Sequence, residues 1–138
     1  MPGLGLGESV AAGEEAVRVA RAIGWRAGEV FALAEVALQL IVKGDYRRAL
    51  EMGEAARRLA EDIGHRQWLV AACRSLGRLY LEALAWEEAG SQFERAYELL
   101  ADLGSNLWAG YVTAGLALTC IAQGDLDTAR QLLRRILG

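Results

Sequence analysis

The sequence predicts an all-α fold, an antiparallel helix-pair solenoid of about seven helices, and three observations predict it. The first is a period of 40 residues: Ile23-Gly24, Ile63-Gly64 and Leu103-Gly104 recur at it, as do Gly44-Asp45-Tyr46, Leu84-Ala85-Trp86 and Gly124-Asp125-Leu126, and the alanines Ala49, Ala89 and Ala129. A fixed period of this length marks repeated helix pairs, each burying its apolar face only against its neighbours. The second is composition. Hydrophobic residues make up 54% of the 138 residues and proline occurs once, while Ala, Leu, Glu and Arg, all strong helix formers, are abundant. The third is the shortness of the turns between apolar-periodic stretches, which forces successive helices to lie antiparallel as neighbours.

Along the chain, residues 1–8 read as a flexible leader or cloning remnant, since Met1 to Gly7 contain three glycines and the proline. Helices are expected over 9–22, 26–42, 46–62, 66–83, 86–102, 106–122 and 126–137. In the first, Val10, Ala16, Val19, Ala20 and Ile23 form an apolar stripe, with Glu14, Glu15, Arg18 and Arg21 toward water. Gly24, Gly64 and Gly104 each follow Ile or Leu at a helix end, where a positive φ closes the last turn. Asp45 and Asp125 are placed to cap the next helix by accepting its orphan N–H groups. The middle turn has Leu84-Ala85 in place of Gly-Asp, so that junction is expected to be tighter in packing and poorer in capping. Offset by one period, Gly13, Ala16, Ala20 and Ile23 fall on Gly53, Ala56, Ala60 and Ile63. The first helix is therefore the second half of a unit, and a single domain over 9–138 divides into a half repeat (9–24) and repeats 25–64, 65–104 and 105–138.

Gly and Ala at recurring positions let helices approach closely, and Tyr and Phe fill the space between turns. The run Cys73, Leu76-Gly77, Tyr80, Ala89, Phe93 and Ala96 resembles the tetratricopeptide repeat (TPR) consensus, well in one repeat and partially in its neighbours. The usual proline after the second helix is absent, and the period exceeds the family's roughly 34 residues. The stretch Gly124-Asp125-Leu126-Asp127-Thr128-Ala129 is similar to the repeats of large ATP-dependent bacterial transcription activators of the maltose-regulon type, and of helical-repeat adaptor proteins. No ATPase module or helix-turn-helix domain accompanies it in this sequence.

The resemblance implies a right-handed TPR-like superhelix whose concave groove, lined by the first helices, holds a peptide, a helix or a partner protein. Carried over by position, the partner-binding residues are Phe31, Leu38, Arg74, Arg78, Tyr111, Leu118 and Ile121. Arg74 and Arg78 share a helix face and together suit a partner carboxylate, although Glu35 or Glu82 within the chain are equal candidates to pair with Arg74. Trp68 and Trp108 stand one period apart with Gly28 at the matching place, and this repetition points to packing. Self-association through the groove or the solenoid ends is a further expectation: Ala16, Val19 and Ile23 at one end, and Leu132, Leu133, Ile136 and Leu137 at the other, are apolar without an obvious neighbour.

Other function classes lack their chemistry here. His65, the only histidine, follows a turn and reads as a cap or an exposed residue, and Cys73 and Cys120 occupy positions of buried packing. No histidine–cysteine cluster has metal spacing, and the Gly3-Leu4-Gly5-Leu6-Gly7 run lacks the features of a phosphate loop, so no cofactor or metal is expected. The glutamates of the second helices alternate with arginines as on a solvated face, which argues against an enzyme. A net charge of −3 argues against direct nucleic-acid binding. No apolar run approaches the roughly 20 residues of a membrane span, and the two cysteines without a secretory leader indicate a reduced, cytoplasmic setting. The expected function is a noncatalytic interaction scaffold; the alternative is an effector-sensing segment of a larger bacterial transcription activator.

Overall fold

The computed structural model describes residues 5–104 and 108–137. Over these residues the chain is built of seven α-helices with no strand: α1 (Leu6–Ala22), α2 (Arg26–Lys43), α3 (Tyr46–Ile63), α4 (Arg66–Glu82), α5 (Trp86–Leu103), α6 (Ala109–Ala122) and α7 (Leu126–Leu137). Each helix packs on the next in sequence. In addition α2 lies along α4, and α4 touches α6 over a small area, whereas the backbones of α1, α3, α5 and α7 stay apart. These outer helices meet through side-chain ion pairs and a hydrogen bond: Arg48 with Glu14, Arg95 with Glu61 and Arg135 with Tyr97. The first helices α2, α4 and α6 therefore form the inner row of a curved two-layer stack, and the second helices form its outer row.

The turns follow the repeat. Gly24, Gly64 and Gly104 have φ of 74°, 65° and 62°, the left-handed conformation that closes a helix C-terminus. The Asp45 carboxylate accepts the Arg48 N–H at 3.4 Å and that of Asp125 accepts the Thr128 N–H at 3.2 Å, as expected of N-caps. Hydrogen bonds from Thr128 also hold the Asp125 carboxyl below its ordinary pKa. His65 is a cap as well, its Nδ1 accepting the Trp68 N–H at 3.1 Å.

The middle turn differs from expectation in one respect. It is poorer in capping, since Ala85 has no side chain to offer, but it is not tighter in packing: Leu84 adopts a φ of 62° and is 69% exposed. A leucine has taken a left-handed position that its periodic counterparts Gly44 and Gly124 fill with glycine.

The first helix also differs. Met1–Leu4 of the expected leader lie outside the described residues, and α1 begins at Leu6, taking in Gly7 and Glu8. The Glu8 carboxylate reaches back to the Gly5 N–H at 3.3 Å, the return half of a capping box, and this starts the helix early. Its buried stripe is Val10, Val17 and Ala20. Ala16 is exposed, Val19 is 49% exposed and Ile23 68%. Ala56, one period after Ala16, is fully buried because α3 packs on both α2 and α4; among the described helices the backbone of α1 packs on α2 alone.

Close approach between units uses a glycine notch. A Cβ on Gly13 would stand 2.5 Å from Val36 Cγ2, and one on Gly53 would stand 2.8 Å from Leu76 Cδ2, so successive units insert a branched side chain into the preceding second helix at equivalent places. The next notch is missing: the residue one period after Gly53 is Phe93. Its ring is instead clasped between Gly77 of α4 and Gly115 of α6, where added Cβ atoms would come within 2.9 and 2.4 Å of it. The core divides accordingly, with one cluster running from Val10 to Val112 and a second gathered round Phe93, Leu116 and Leu132.

Candidate functional site

Helix α6 is the unusual element. Between Ala109 and Ala122 it carries no charged residue, and a helix apolar on all sides belongs in a core or against a partner. Nevertheless Tyr111 is 67%, Leu118 52% and Ile121 45% exposed. The helix was expected from residue 106. It begins instead at Ala109, after Trp108 with a φ of 62°, and residues 105–107 lie outside the described ones.

A groove of about 690 Å³ separates α6 from α4. Its α4 wall is Arg74, Arg78, Leu81 and Glu82; its α6 wall is Tyr111, Ala114, Gly115 and Leu118; Phe93 from α5 reaches it between the two, with Leu38, Trp108, Gly110 and Ile136 also bordering it. On the other flank of α6 lies a second cavity of about 530 Å³, lined by Tyr97, Leu100, Thr113 and Arg135 among others. Helix α6 thus has a cavity on each of two sides.

The widening follows from two residues. At the α2–α4 junction, the buried Ser75 hydroxyl donates to the Ala34 carbonyl of α2 at 3.0 Å, tying two first helices together. The counterpart of Ser75 one period on is Gly115, which has no hydroxyl to make the same link from α6 to α4. At the same level, the Phe93 ring occupies the space that closer packing of α6 on α4 would require.

Of the seven positions expected to bind a partner, Leu38, Arg74, Arg78, Tyr111 and Leu118 are brought together in this groove. Phe31 and Ile121 are not part of its lining. The Phe31 ring packs against Trp68 at 4.9 Å between centroids, Trp68 against Trp108 at 5.5 Å, and His65 stacks on Trp68 at 5.5 Å. This aromatic ladder joins the N-terminal ends of the three first helices, giving Trp68 and Trp108 the packing role their repetition suggested. Ile121 is on the exposed side of α6 toward its C-terminal end. Ile136, Phe93 and Trp108 are groove residues that sequence reasoning assigns elsewhere, Ile136 to the apolar solenoid end and the other two to packing; the antiparallel return of α7 along α6 brings Ile136 here.

The arginines do not act as a pair. Arg78 Nε donates to Glu82 Oε1 at 3.0 Å. The Arg74 guanidinium pairs with neither Glu35 nor Glu82 among the described residues, and lies over the Tyr111 ring, 4.6 Å from its centroid, a cation–π contact spanning the groove from α4 to α6. Elsewhere basic side chains are met locally or across helices: Arg48 with Glu14 at 2.6 Å, Arg66 with Asp102 at 2.9 Å and Arg95 with Glu61 at 3.2 Å.

Both cysteines are free. Burial pushes the Cys73 thiol up to about 11 and raises that of Cys120 too, which suppresses the reactive thiolate. Among the described residues no group of three or more His, Cys, Asp or Glu is placed to hold a metal ion, and no helix is long and apolar enough to cross a membrane.

No protein-family model matches the chain, and no curated protein does. Among solved structures it is similar to the crystal structure of BtubC (BKLC) from P. vanneervenii, with a TM-score of 0.77 and 19% sequence identity. The match covers 94% of this chain and 55% of that one, so the chain spans about half the length of that protein. What the likeness shows is the fold, a TPR-like stack of helix pairs.

Proposed function

We propose that this chain is a noncatalytic interaction scaffold that seats a peptide, a helix or the surface of a partner protein along the open flank of α6. The observation that carries this reading is the uncharged α6 with Tyr111, Leu118 and Ile121 exposed; an apolar surface of this kind, bordered by a groove, is a common mark of an interaction site. The TPR-like fold supports it by presenting several first helices in a fixed array, so that a partner need not order that surface itself. Two free cysteines fit a reducing, cytoplasmic compartment.

The test is site-specific photo-crosslinking in cells, with the crosslinking residue at Leu118 or, on the outer row, at Arg47. Discrete adducts from Leu118 and none from Arg47 are expected. Equal patterns from both positions, or none from Leu118, contradict the proposal. A second copy of this chain is one such partner, and solution mass by light scattering identifies it: a dimer that Leu118→Glu reduces to a monomer places self-association on this face.

A second reading, an effector-sensing segment of a larger bacterial transcription activator, is favoured by one observation. The groove, at about 690 Å³, has the size of small-molecule sites, which run from about 300 to 1,000 Å³, and it sets a few polar groups, Arg74, Arg78, Glu82 and Tyr111, in an otherwise mainly apolar lining.

A further inference from the structure

We propose that the groove between α4 and α6 binds a small amphipathic carboxylate, an apolar body ending in one acid group, with Arg74 as partner of the acid; this rests on reading the groove as a binding site. Its walls supply Leu81, Phe93, Ala114 and Leu118 for the apolar body. Three charged side chains border it. Glu82 engages Arg78 at 3.0 Å, and the positive charge that remains belongs to Arg74.

Arg74 is poised for an anion by its surroundings. The Tyr111 ring covers its guanidinium at 4.6 Å, which fixes the plane and leaves edge N–H groups to donate to a carboxylate. One period before and after, the same position holds Ala34 and Ala114, and that of Arg78 holds Leu38 and Leu118. At these two periodic positions positive charge thus appears in α4, which borders the groove, and its excess over Glu82 is complementary to one negative charge. A cationic amphiphile meets repulsion there, and a neutral one leaves Arg74 without a counter-ion in a partly desolvated place.

Calorimetric titration with dodecanoate, dodecanol and dodecyltrimethylammonium, each below its micellar concentration, tests this. Dodecanoate is expected to saturate one site and to change tryptophan emission through Trp108, with dodecanol weaker by about tenfold or more and the cation not binding. Arg74→Gln lowers dodecanoate affinity by about tenfold, and Arg74→Lys, which keeps the charge but loses the planar fork stacked on Tyr111, lowers it by less. Glu82→Gln, which releases Arg78, tightens it, an outcome that a purely structural role for these residues does not produce. Equal binding of the three amphiphiles, undiminished binding to the Arg74→Gln protein, or no saturable dodecanoate binding overturns the proposal. Crosslinking at Leu118 separates the two readings. Adducts without dodecanoate binding reject the small ligand alone, and dodecanoate binding without adducts rejects the scaffold.

Discussion

The junction of α2 with α4 and that of α4 with α6 occupy equivalent places in the repeat and are built differently. At the first, Leu76 enters the notch at Gly53 and Ser75 bonds to the Ala34 carbonyl, so the two inner helices close on each other. At the second, Phe93 fills the position of the notch and Gly115 that of the hydroxyl, and a groove of about 690 Å³ opens with an uncharged helix as its wall. A repeat protein can thus make one interface solid and the next receptive through substitutions at fixed periodic positions.

Phe93→Ala should have the largest effect on this contrast. The buried ring holds the second core cluster together, and its removal should cost about 3–5 kcal/mol, read from urea unfolding. If the junctions are unequal as described, α6 and α7 should be lost while α1–α4 keep their helicity. A single cooperative transition shifted as a whole would instead unite the two clusters energetically.

Next in size is Gly115→Ala, whose new Cβ would sit 2.4 Å from the Phe93 ring; it should destabilise by about 1–3 kcal/mol through overpacking. Gly90→Ala is its control, because the corresponding contact, to Thr119 Cγ2, is 3.3 Å away at the end of a side chain. There the gain in helix propensity, about 1 kcal/mol, should offset the crowding, and thermal melts of the two variants should move apart.

Ser75→Ala should cost about 0.5–1.5 kcal/mol by removing the link from α4 to α2. It makes the closed junction more like the open one, and faster hydrogen exchange at the middle of α2 is the expected readout. The smallest effect belongs to Leu84→Gly. Relief of the left-handed strain at φ 62° should stabilise the chain by about 0.5–1 kcal/mol, measured as a raised Tm, since so exposed a side chain gives up little packing.

Much of this fold is legible in the sequence because its cues are local. Glycine after the last apolar residue of a helix and Asp before the next one act within a few residues, and their recurrence fixes the seven elements. The groove is only partly legible. Position in the repeat assigns Leu38, Arg74, Arg78, Tyr111 and Leu118 to one inner surface, but it treats all three first helices as equally spaced. The spacing is decided by Phe93 and Gly115, which meet across three helices, and a period counts them as ordinary variation. The same limit hid the true stripe of α1. Ala16, Val19 and Ile23 match buried or half-buried counterparts in α3, yet burial needs a neighbour, and the alignment of residues does not supply one. Repeat position puts Phe31 and Arg74 on first helices, while their partners, Trp68 and Tyr111, depend on how far apart the helices stand.

Hydrogen exchange of the unliganded chain, followed helix by helix by mass spectrometry, tests most directly whether the two junctions differ. Helices α6 and α7 should exchange through a sub-global opening of lower free energy than α2–α4, and Phe93→Ala should accelerate exchange in α6 and α7 far more than in α2 and α3. Uniform protection from α2 to α7, accelerated equally by that substitution, would contradict the unequal junctions on which the proposed binding surface depends.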